Sequence, residues 1–289
     1  PGVSLPSSLT ATGSFYDVIE GADFLLLVVP SHAMRSVLTK MQPILAEPLP
    51  IVVATKGIEE DTLKLMSQVL NELLPSIWSP GITILTGPSF AKEVCQTKPT
   101  TVLLAGQDPA LTAKLQSVFM TSLFRVYTGS DMIGAQLGGA LKNVMAIAAG
   151  VVDGLSLGAN ARAALITRGL AEIIRLGSVL GADVHTFYGL SGLGDLVLTC
   201  TGSLSRNYTV GVKLGQRESL ENITKDVLTV AEGIRTTRAA MNLAMQFHVD
   251  MPIVQGVHAL LFEGKAARQV VEDLMSRLAK EETHLSHKG

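Results

Sequence analysis

Several features that commonly reveal a function are scarce in this 289-residue sequence. Cysteine occurs only at Cys95 and Cys200, so there is no disulfide framework, and the pair is consistent with a reducing compartment such as the cytoplasm. Charged residues make up 17% of the chain and the net charge is −2, so no overall basic field would recruit nucleic acid. The 47% of hydrophobic residues predicts a globular chain with a large core.

The sequence also lacks the compact motifs of common catalytic sites. Its six histidines show no metal-binding spacing, so no metal site is expected, and it has neither a P-loop nor a Gly-x-Ser-x-Gly motif. The Gly-x-Gly-x-x-Gly fingerprint that opens dinucleotide-binding folds is absent, and the nearest match, Gly192-Leu-Gly194, does not follow a predicted strand. We therefore expect either a fragment that lacks such an opening unit or a chain that does not bind a dinucleotide in that way.

One apolar segment, Gly134 to Val152, is long enough to cross a bilayer. It nevertheless contains Gln136, Asn143 and four glycines, and the charged Lys142 lies near its middle. A charge at that depth is costly in lipid. We therefore expect a buried helix of a globular protein and no stable membrane insertion.

Hydrophobic periodicity divides the chain near Gly129. Before that point short apolar strands alternate with helical segments, which is typical of a mainly parallel sheet covered on both faces; after it only helical patterns occur. We predict an α/β domain over residues 1–129, with an incomplete Rossmann-type parallel sheet, and an all-α domain over residues 130–289. The predicted strands are 24–30, 51–55, 82–86, 100–105 and 123–127, and the predicted helices of the second domain are 131–151, 161–180, 207–215, 230–247 and 266–280.

Lys142 lies in a helix that is apolar on nearly every face. If the side chain is buried, desolvation would lower its pKa, so that the neutral amine could accept a proton near pH 7 and the ammonium could return it. The alternative is a lysine whose side chain extends to the helix surface, and the helix alone does not separate the two. The adjacent Asn143 could hydrogen-bond substrate oxygens or simply support the packing.

Polar residues also follow two predicted strands. Ligands of open parallel sheets bind beyond the carboxyl ends of the strands. Lys56 is placed there to polarise a carbonyl or to meet a phosphate, and Gly87 and Ser89 could present N–H and hydroxyl donors to an anion. Each of them alone is explained as well by a solvated loop or turn, but several such junctions on one sheet edge favour a binding site.

The stretch from Ser191 to Asn207 adds further candidates. Asp195 could orient a lysine, with Thr199 one helical turn further along, or it could be a turn or capping aspartate. Ser205 is a good N-cap and would place Arg206 at a helix N-terminus, where a phosphate dianion is favoured. A solvated surface arginine is the alternative.

Eight motifs together resemble the NAD(P)-dependent glycerol-3-phosphate dehydrogenases of bacteria. They occur in family order, cover essentially the whole chain and form a highly specific set. They are Val29-Pro-Ser-His32, Ala54-Thr-Lys-Gly57, Gly87-Pro-Ser-Phe-Ala-Lys-Glu93, Leu141-Lys-Asn143, Asn160-Ala-Arg-Ala-Ala-Leu-Ile-Thr-Arg168, Gly192-Leu-Gly-Asp-Leu196, Ser205-Arg-Asn207 and Val230-Ala-Glu-Gly233.

The resemblance implies a cytosolic enzyme that interconverts sn-glycerol 3-phosphate and dihydroxyacetone phosphate with NAD(H) or NADP(H), supplying glycerophospholipid synthesis. It makes Lys142 the residue that transfers a proton at the substrate C2 oxygen. The implied supporting catalytic residues are Lys56, Asp195, Asn143 and Thr199. The implied substrate contacts are Lys56, Gly87, Ser89, Lys142, Asp195, Ser205, Arg206 and Asn207, and the implied cofactor contacts are Lys56, Ala91, Arg206, Val230 and Glu232.

The resemblance also implies a homodimer, and it places the family's Gly-rich loop and ribose-reading strand end before Pro1. Without the strand end that contacts the ribose, the sequence does not indicate whether NAD or NADP is preferred. Two other interpretations stay open: a related dehydrogenase such as a hydroxyacid dehydrogenase, and a non-catalytic or inactive truncated remnant that binds a phosphometabolite or a partner. The phosphate site at 205–207 argues against the first, and retention of Lys56, Lys142 and Asp195 argues against the second.

Overall fold

A computed structural model of the chain describes residues 3, 5–225, 231–279 and 281–282. The strands are β1 (Leu25–Leu27), β2 (Ile51–Val53), β3 (Ile82–Thr86), β4 (Thr100–Gly106) and β5 (Phe124–Gly129). The helices that precede or connect them are α1 (Phe15–Ile19), α2 (Met34–Met41), α3 (Met66–Leu73), α4 (Ala91–Cys95) and α5 (Pro109–Phe119). The helices after the sheet are α6 (Met132–Gly154), α7 (Gly158–Val179), α8 (Asp195–Thr201), α9 (Arg206–Gly215), α10 (Leu220–Lys225), α11 (Glu232–Gln246), α12 (Pro252–Phe262) and α13 (Ala267–Met275).

The five strands form one mixed sheet in the order β1-β2-β3-β4-β5. Three neighbouring pairs are parallel, and β4 runs antiparallel to β3. The connection from β3 to β4 contains only the five-residue helix α4, whereas parallel neighbours usually need a longer helical crossover. The carboxyl ends of β1, β2 and β3 therefore meet at one edge, while β4 begins at that edge and ends at the opposite one.

Helix α6 is the centre of the helical part. Every residue from Gly134 to Val152 is buried, and the helix packs against α7, α8, α9, α11 and α12. Asp131 caps its start by accepting a hydrogen bond from the Gly134 N–H at 2.9 Å. Although α6 is long and apolar enough to cross a membrane, its apolar window is wholly covered by protein. It is thus a core helix, as the sequence predicts.

Glycines allow α6 and α9 to touch backbone to backbone. A Cβ atom on Gly150 would lie 2.1 Å from the Tyr208 carbonyl oxygen, and one on Gly211 would lie 2.0 Å from the Ile147 carbonyl oxygen. No side chain fits at such distances. Because Asn143 lies two turns before Gly150 and Asn207 one turn before Gly211, the same contact brings the two asparagines together.

The fold class predicted from the sequence is confirmed, with a sheet that is mixed and mostly parallel. Each predicted strand is present within a few residues, and no strand follows Gly129 in the described part of the chain. The helix predicted at 230–247 is described from Glu232, because residues 226–230 lie outside the described residues. Helices α8, α10 and α12 were not predicted, since α8 and α10 have only seven and six residues and α12, mostly apolar but interrupted by Gln255, Gly256 and His258, shows little helical periodicity. The division at Gly129 stays a prediction.

Candidate active site

Two lysines share one buried carboxylate at the carboxyl-end edge of the sheet. The Lys142 ammonium, on α6, donates to Asp195 Oδ1, and Lys56 Nζ, in the loop after β2, donates to Asp195 Oδ2 at 2.7 Å. Lys56 Nζ also donates to the Gly87 carbonyl oxygen at 3.0 Å. Asp195 is 0% exposed and begins α8. Residues far apart in sequence therefore converge as the proposed catalytic set requires.

Lys142 is buried, so the interpretation of a side chain extending to the helix surface is wrong. Only 6% of the residue is exposed. Burial first, and then the nearby positive charge of Lys56, lower its pKa from 10.5 to about 7, although Asp195 acts in the opposite direction. The amine and the ammonium are therefore both accessible near neutral pH, which is the condition for general acid–base work.

Thr199 supports the aspartate from one turn further along α8. Its hydroxyl donates to the Asp195 carbonyl oxygen at 2.6 Å and lies 3.5 Å from Asp195 Oδ1. Neighbouring Cys200 is fully buried, and burial raises the pKa of its thiol to about 12. That thiol is a core group, as the sequence predicts, and not a nucleophile.

An asparagine pair joins α6, α9 and α11. Asn207 Nδ2 donates to Asn143 Oδ1 at 2.9 Å, and the Gly233 N–H donates to Asn207 Oδ1 at 2.9 Å. A Cβ on Gly233 would lie 2.7 Å from both the Asn143 carbonyl oxygen and Asn207 Oδ1, so only glycine fits. Since Asn143 uses its oxygen internally, its amide NH₂ is the group left for a ligand.

The loop after β3 helps to hold Lys56 in place. Gly87 has φ +135°, and a Cβ there would lie 3.1 Å from Val102 Cα. Its carbonyl oxygen accepts hydrogen bonds from Lys56 and, at 3.0 Å, from Ser89 Oγ. The Gly87 carbonyl oxygen thus holds Lys56 in place, a contact that the sequence did not predict, while donation from this loop to an anion stays a prediction.

Arg206 stands at the start of α9, where a helix dipole favours an anion. Ser205 caps the helix by accepting from the Tyr208 N–H at 3.2 Å, as its sequence predicts. Arg206 is exposed, and its guanidinium makes no hydrogen bond or ion pair with any described residue. It borders a side pocket of about 320 Å³ together with Ala91 and Thr199. The other residues around this pocket are Ser89, Phe90, Lys92, Lys142, Asn143, Leu204, Ser205 and Asn207.

The side pocket adjoins a main cleft of about 730 Å³ between the sheet edge and the helices. The sheet contributes the chain after β1, β2 and β3, which is where open α/β sheets bind dinucleotides. Glu232 lines the cleft, but both of its oxygens are engaged by Ser31, through the backbone N–H at 3.2 Å and the hydroxyl at 2.5 Å. The predicted contact Val230 lies outside the described residues.

Two residues of this arrangement were missed by sequence reasoning. Ser31 follows the end of β1, so the rule that selected Lys56 and Ser89 could have selected it too. Gly233 belongs to a motif of the family resemblance, but its role was not predicted, because it depends on helices that meet only in the fold. Among the described residues, no group of three or more His, Cys, Asp or Glu side chains is arranged to hold a metal ion.

Family comparisons agree with this geometry. Residues 131–272 match the family model described as NAD-dependent glycerol-3-phosphate dehydrogenase C-terminus, and residues 1–112 match the corresponding N-terminus model. The chain belongs to the NAD-dependent glycerol-3-phosphate dehydrogenase family. This result confirms the resemblance on which the site prediction depends.

Individual relatives support the same assignment. The glycerol-3-phosphate dehydrogenase [NAD(P)+] of Geobacter metallireducens is 52% identical over 98% of this chain and 84% of its own length. That of Desulfotalea psychrophila is 49% identical over the same shares of the two chains. The crystal structure of glycerol-3-phosphate dehydrogenase from Coxiella burnetii has a TM-score of 0.91 at 38% identity, over 96% of this chain and 84% of that one.

Proposed function

We propose that this chain interconverts sn-glycerol 3-phosphate and dihydroxyacetone phosphate with NAD(H) or NADP(H), supplying glycerophospholipid synthesis. One observation carries the proposal: a buried Lys142 whose pKa is lowered to about 7 shares Asp195 with Lys56, beside a helix start that carries Arg206. A site of this kind can transfer a proton at a carbonyl oxygen while it holds an anionic group at a fixed distance.

The phosphate is anchored in the side pocket. Arg206 supplies the charge, and the first N–H groups of α9 supply the helix dipole. Asn143 lies between this pocket and the main cleft and has an amide NH₂ available. A three-carbon phosphate ester bound there has its C2 oxygen beside the lysines, so binding of the phosphate positions the reacting carbon.

Lys142 carries the proton. In the reductive direction its ammonium protonates the C2 oxygen, and in the oxidative direction its amine removes the C2 hydroxyl proton. Lys56 places positive charge at the same oxygen and stabilises negative charge that develops there. Asp195 holds both ammonium groups in position through its two oxygens.

The nicotinamide cofactor, when bound, supplies or accepts the hydride at C2. The main cleft fits it, because the cleft lies beyond the carboxyl ends of β1, β2 and β3 and reaches Lys142. The residues predicted to hold it are Lys56, Ala91, Arg206, Val230 and Glu232; of these Lys56, Arg206 and Glu232 line this cleft, Ala91 borders the side pocket instead, and Val230 lies outside the described residues. Glu232 would do so by joining α11 to Ser31 at the wall of the cleft.

The decisive experiment mixes the purified chain with dihydroxyacetone phosphate and NADH or NADPH and follows nicotinamide oxidation. Oxidation that needs the phosphorylated ketone supports the proposal, and unphosphorylated dihydroxyacetone and a 2-oxo acid serve as controls. Preference for the 2-oxo acid would favour a hydroxyacid dehydrogenase instead. A folded chain that binds dihydroxyacetone phosphate in calorimetry without any oxidation would favour the non-catalytic remnant.

We also propose that the chain acts in the cytoplasm as a homodimer. The family resemblance supports both points, and the two unpaired cysteines are consistent with a reducing compartment. Light scattering should then give twice the chain mass of 30.5 kDa. A monomer at micromolar concentration would contradict the dimer, and fractionation of cells would test the location.

A further inference from the structure

Ser31 binds Glu232 from behind the wall of the main cleft. Its backbone N–H donates to Glu232 Oε1 at 3.2 Å, and its hydroxyl donates to Oε2 at 2.5 Å. Ser31 is 2% exposed and does not line the cleft, whereas the half-buried Glu232 does. One buried serine therefore fixes both oxygens of a carboxylate that lines the cleft.

Gly57 packs directly against this pair. A Cβ atom on Gly57 would lie 2.6 Å from Ser31 Oγ and 3.2 Å from Glu232 Oε2, so only glycine lets the loop after β2 come so close. Gly57 also follows Lys56, whose ammonium binds Asp195. The loops after β1 and β2 and the start of α11 thus meet at one point, next to the proposed catalytic lysines.

The Glu232 carboxylate keeps acceptor positions for a ligand. A carboxylate offers about four lone-pair sites, and the two hydrogen bonds from Ser31 use two of them. Within the described part of the chain, no other residue donates a hydrogen bond to this carboxylate. A carboxylate repels a phosphate but accepts hydrogen bonds from hydroxyl groups, so this wall of the cleft favours a hydroxyl-bearing part of a ligand.

We propose that Ser31 is a positioning residue, which holds the Glu232 carboxylate as an acceptor for hydroxyl groups of the ribose next to the nicotinamide. The inference rests on the proposed function, which assigns a nicotinamide cofactor to this cleft. Hydride transfer requires the nicotinamide to lie beside the substrate carbon at the two lysines, and Glu232 lies against the residue that follows Lys56. Glu232 lines the main cleft and not the side pocket that anchors the phosphate, so it meets the cofactor and not the substrate.

Fluorescence titration with NADH tests the inference. Ser31→Ala removes one of the two hydrogen bonds to the Glu232 carboxylate and should raise the Kd for NADH about three- to tenfold. The Kd for dihydroxyacetone phosphate, measured by calorimetry without cofactor, should stay unchanged. Ser36→Ala is the matched control: the hydroxyl of this exposed serine on α2 donates to the Ala33 carbonyl oxygen, so its loss should alter neither Kd.

A double-mutant cycle shows whether Ser31 acts through Glu232. Glu232→Ala should itself raise the Kd for NADH, and in that background Ser31→Ala should raise it by less than about 1.5-fold more. Three results would overturn the inference alone: equal effects of Ser31→Ala in both backgrounds, a lower melting temperature with an unchanged Kd for NADH, or equal weakening of NADH and dihydroxyacetone phosphate. A wild-type chain that does not bind NADH would overturn the proposed function as well.

Discussion

The two halves of the cleft hold their lysines in different surroundings. Lys56, from the sheet half, has 23% of its side chain exposed, whereas Lys142, from the helical half, has 8% exposed, although both bind the same carboxylate. The sheet edge is open to solvent, but α6 is enclosed by five other helices. We therefore propose that proton transfer falls to Lys142, the lysine that water reaches least, because desolvation helps to bring its pKa near neutrality.

Replacement of each lysine by methionine should give the largest difference in activity between the two halves of the cleft. Lys142→Met should lower kcat about 10³-fold, since the proton carrier is lost, and Lys56→Met should lower it about 10- to 100-fold, since only charge stabilisation is lost. Steady-state kinetics in both directions provides the measurement. Circular dichroism melting is the control: a loss of stability by Lys142→Met in proportion to the loss of activity would make Lys142 a structural residue.

The helical half should also tolerate added volume less well than the sheet half. Gly150→Ala places a methyl group 2.1 Å from the Tyr208 carbonyl oxygen and should lower the free energy of unfolding by about 3 kcal/mol. Gly81→Ala, before β3, meets nothing nearer than the Leu49 carbonyl oxygen at 3.4 Å and should change it by less than about 0.5 kcal/mol. Urea unfolding of both variants gives the comparison, and equal effects would show that the α6–α9 contact can relax.

The difference between the sheet half and the helical half also explains what could be predicted from the sequence. The strands and Lys56 follow from short apolar runs and from the rule that ligands bind beyond strand ends, both of which are local signals. The direction of β4 was not predicted, although the connection after β3 contains only one five-residue helix, which is shorter than most parallel crossovers. The sequence did not decide whether Lys142 is buried, because its burial depends on which helices pack around α6.

The contacts between distant segments could not be predicted by any local rule. Ser31 and Glu232 are 201 residues apart, and Asn143 and Asn207 are 64 apart. Each pair forms only because helices of the second half pack against the sheet edge or against α6. The family resemblance selected Glu232 and Asn207 without a physical reason. The structure gives one, because Glu232 binds Ser31 and Asn207 binds Asn143.

Arg206→Ala tests the anion-binding end of the helical half. Loss of a charge-assisted contact should raise the KM for dihydroxyacetone phosphate about 10- to 100-fold with a smaller change in kcat. The sheet-side Ser89→Ala should raise it no more than a few-fold, because the Ser89 hydroxyl already donates to Gly87. Steady-state kinetics with unphosphorylated dihydroxyacetone is the control, and an Arg206→Ala effect of equal size on that ketone would remove the phosphate-binding role.

The smallest expected effect is a pH dependence that belongs to Lys142 alone. The ammonium form is needed to reduce the ketone and the amine to oxidise the alcohol. With the pKa lowered to about 7, kcat for reduction should fall about tenfold per pH unit above 7, and kcat for oxidation should fall likewise below 7. Profiles of both directions should thus bend in opposite senses near the same pH.

A second buried group could imitate this behaviour and needs its own control. Burial raises the pKa of Glu172 on α7 to about 7 as well, but its carboxylate accepts the Ile253 and Val254 N–H groups at the start of α12 and does not line the cleft. Glu172→Gln removes the titration, keeps a side-chain oxygen for one of the two donors and should leave both profiles unchanged. A shifted bend in Glu172→Gln would trace the pH dependence to the packing of α12, whereas an unchanged bend leaves Lys142 as its source.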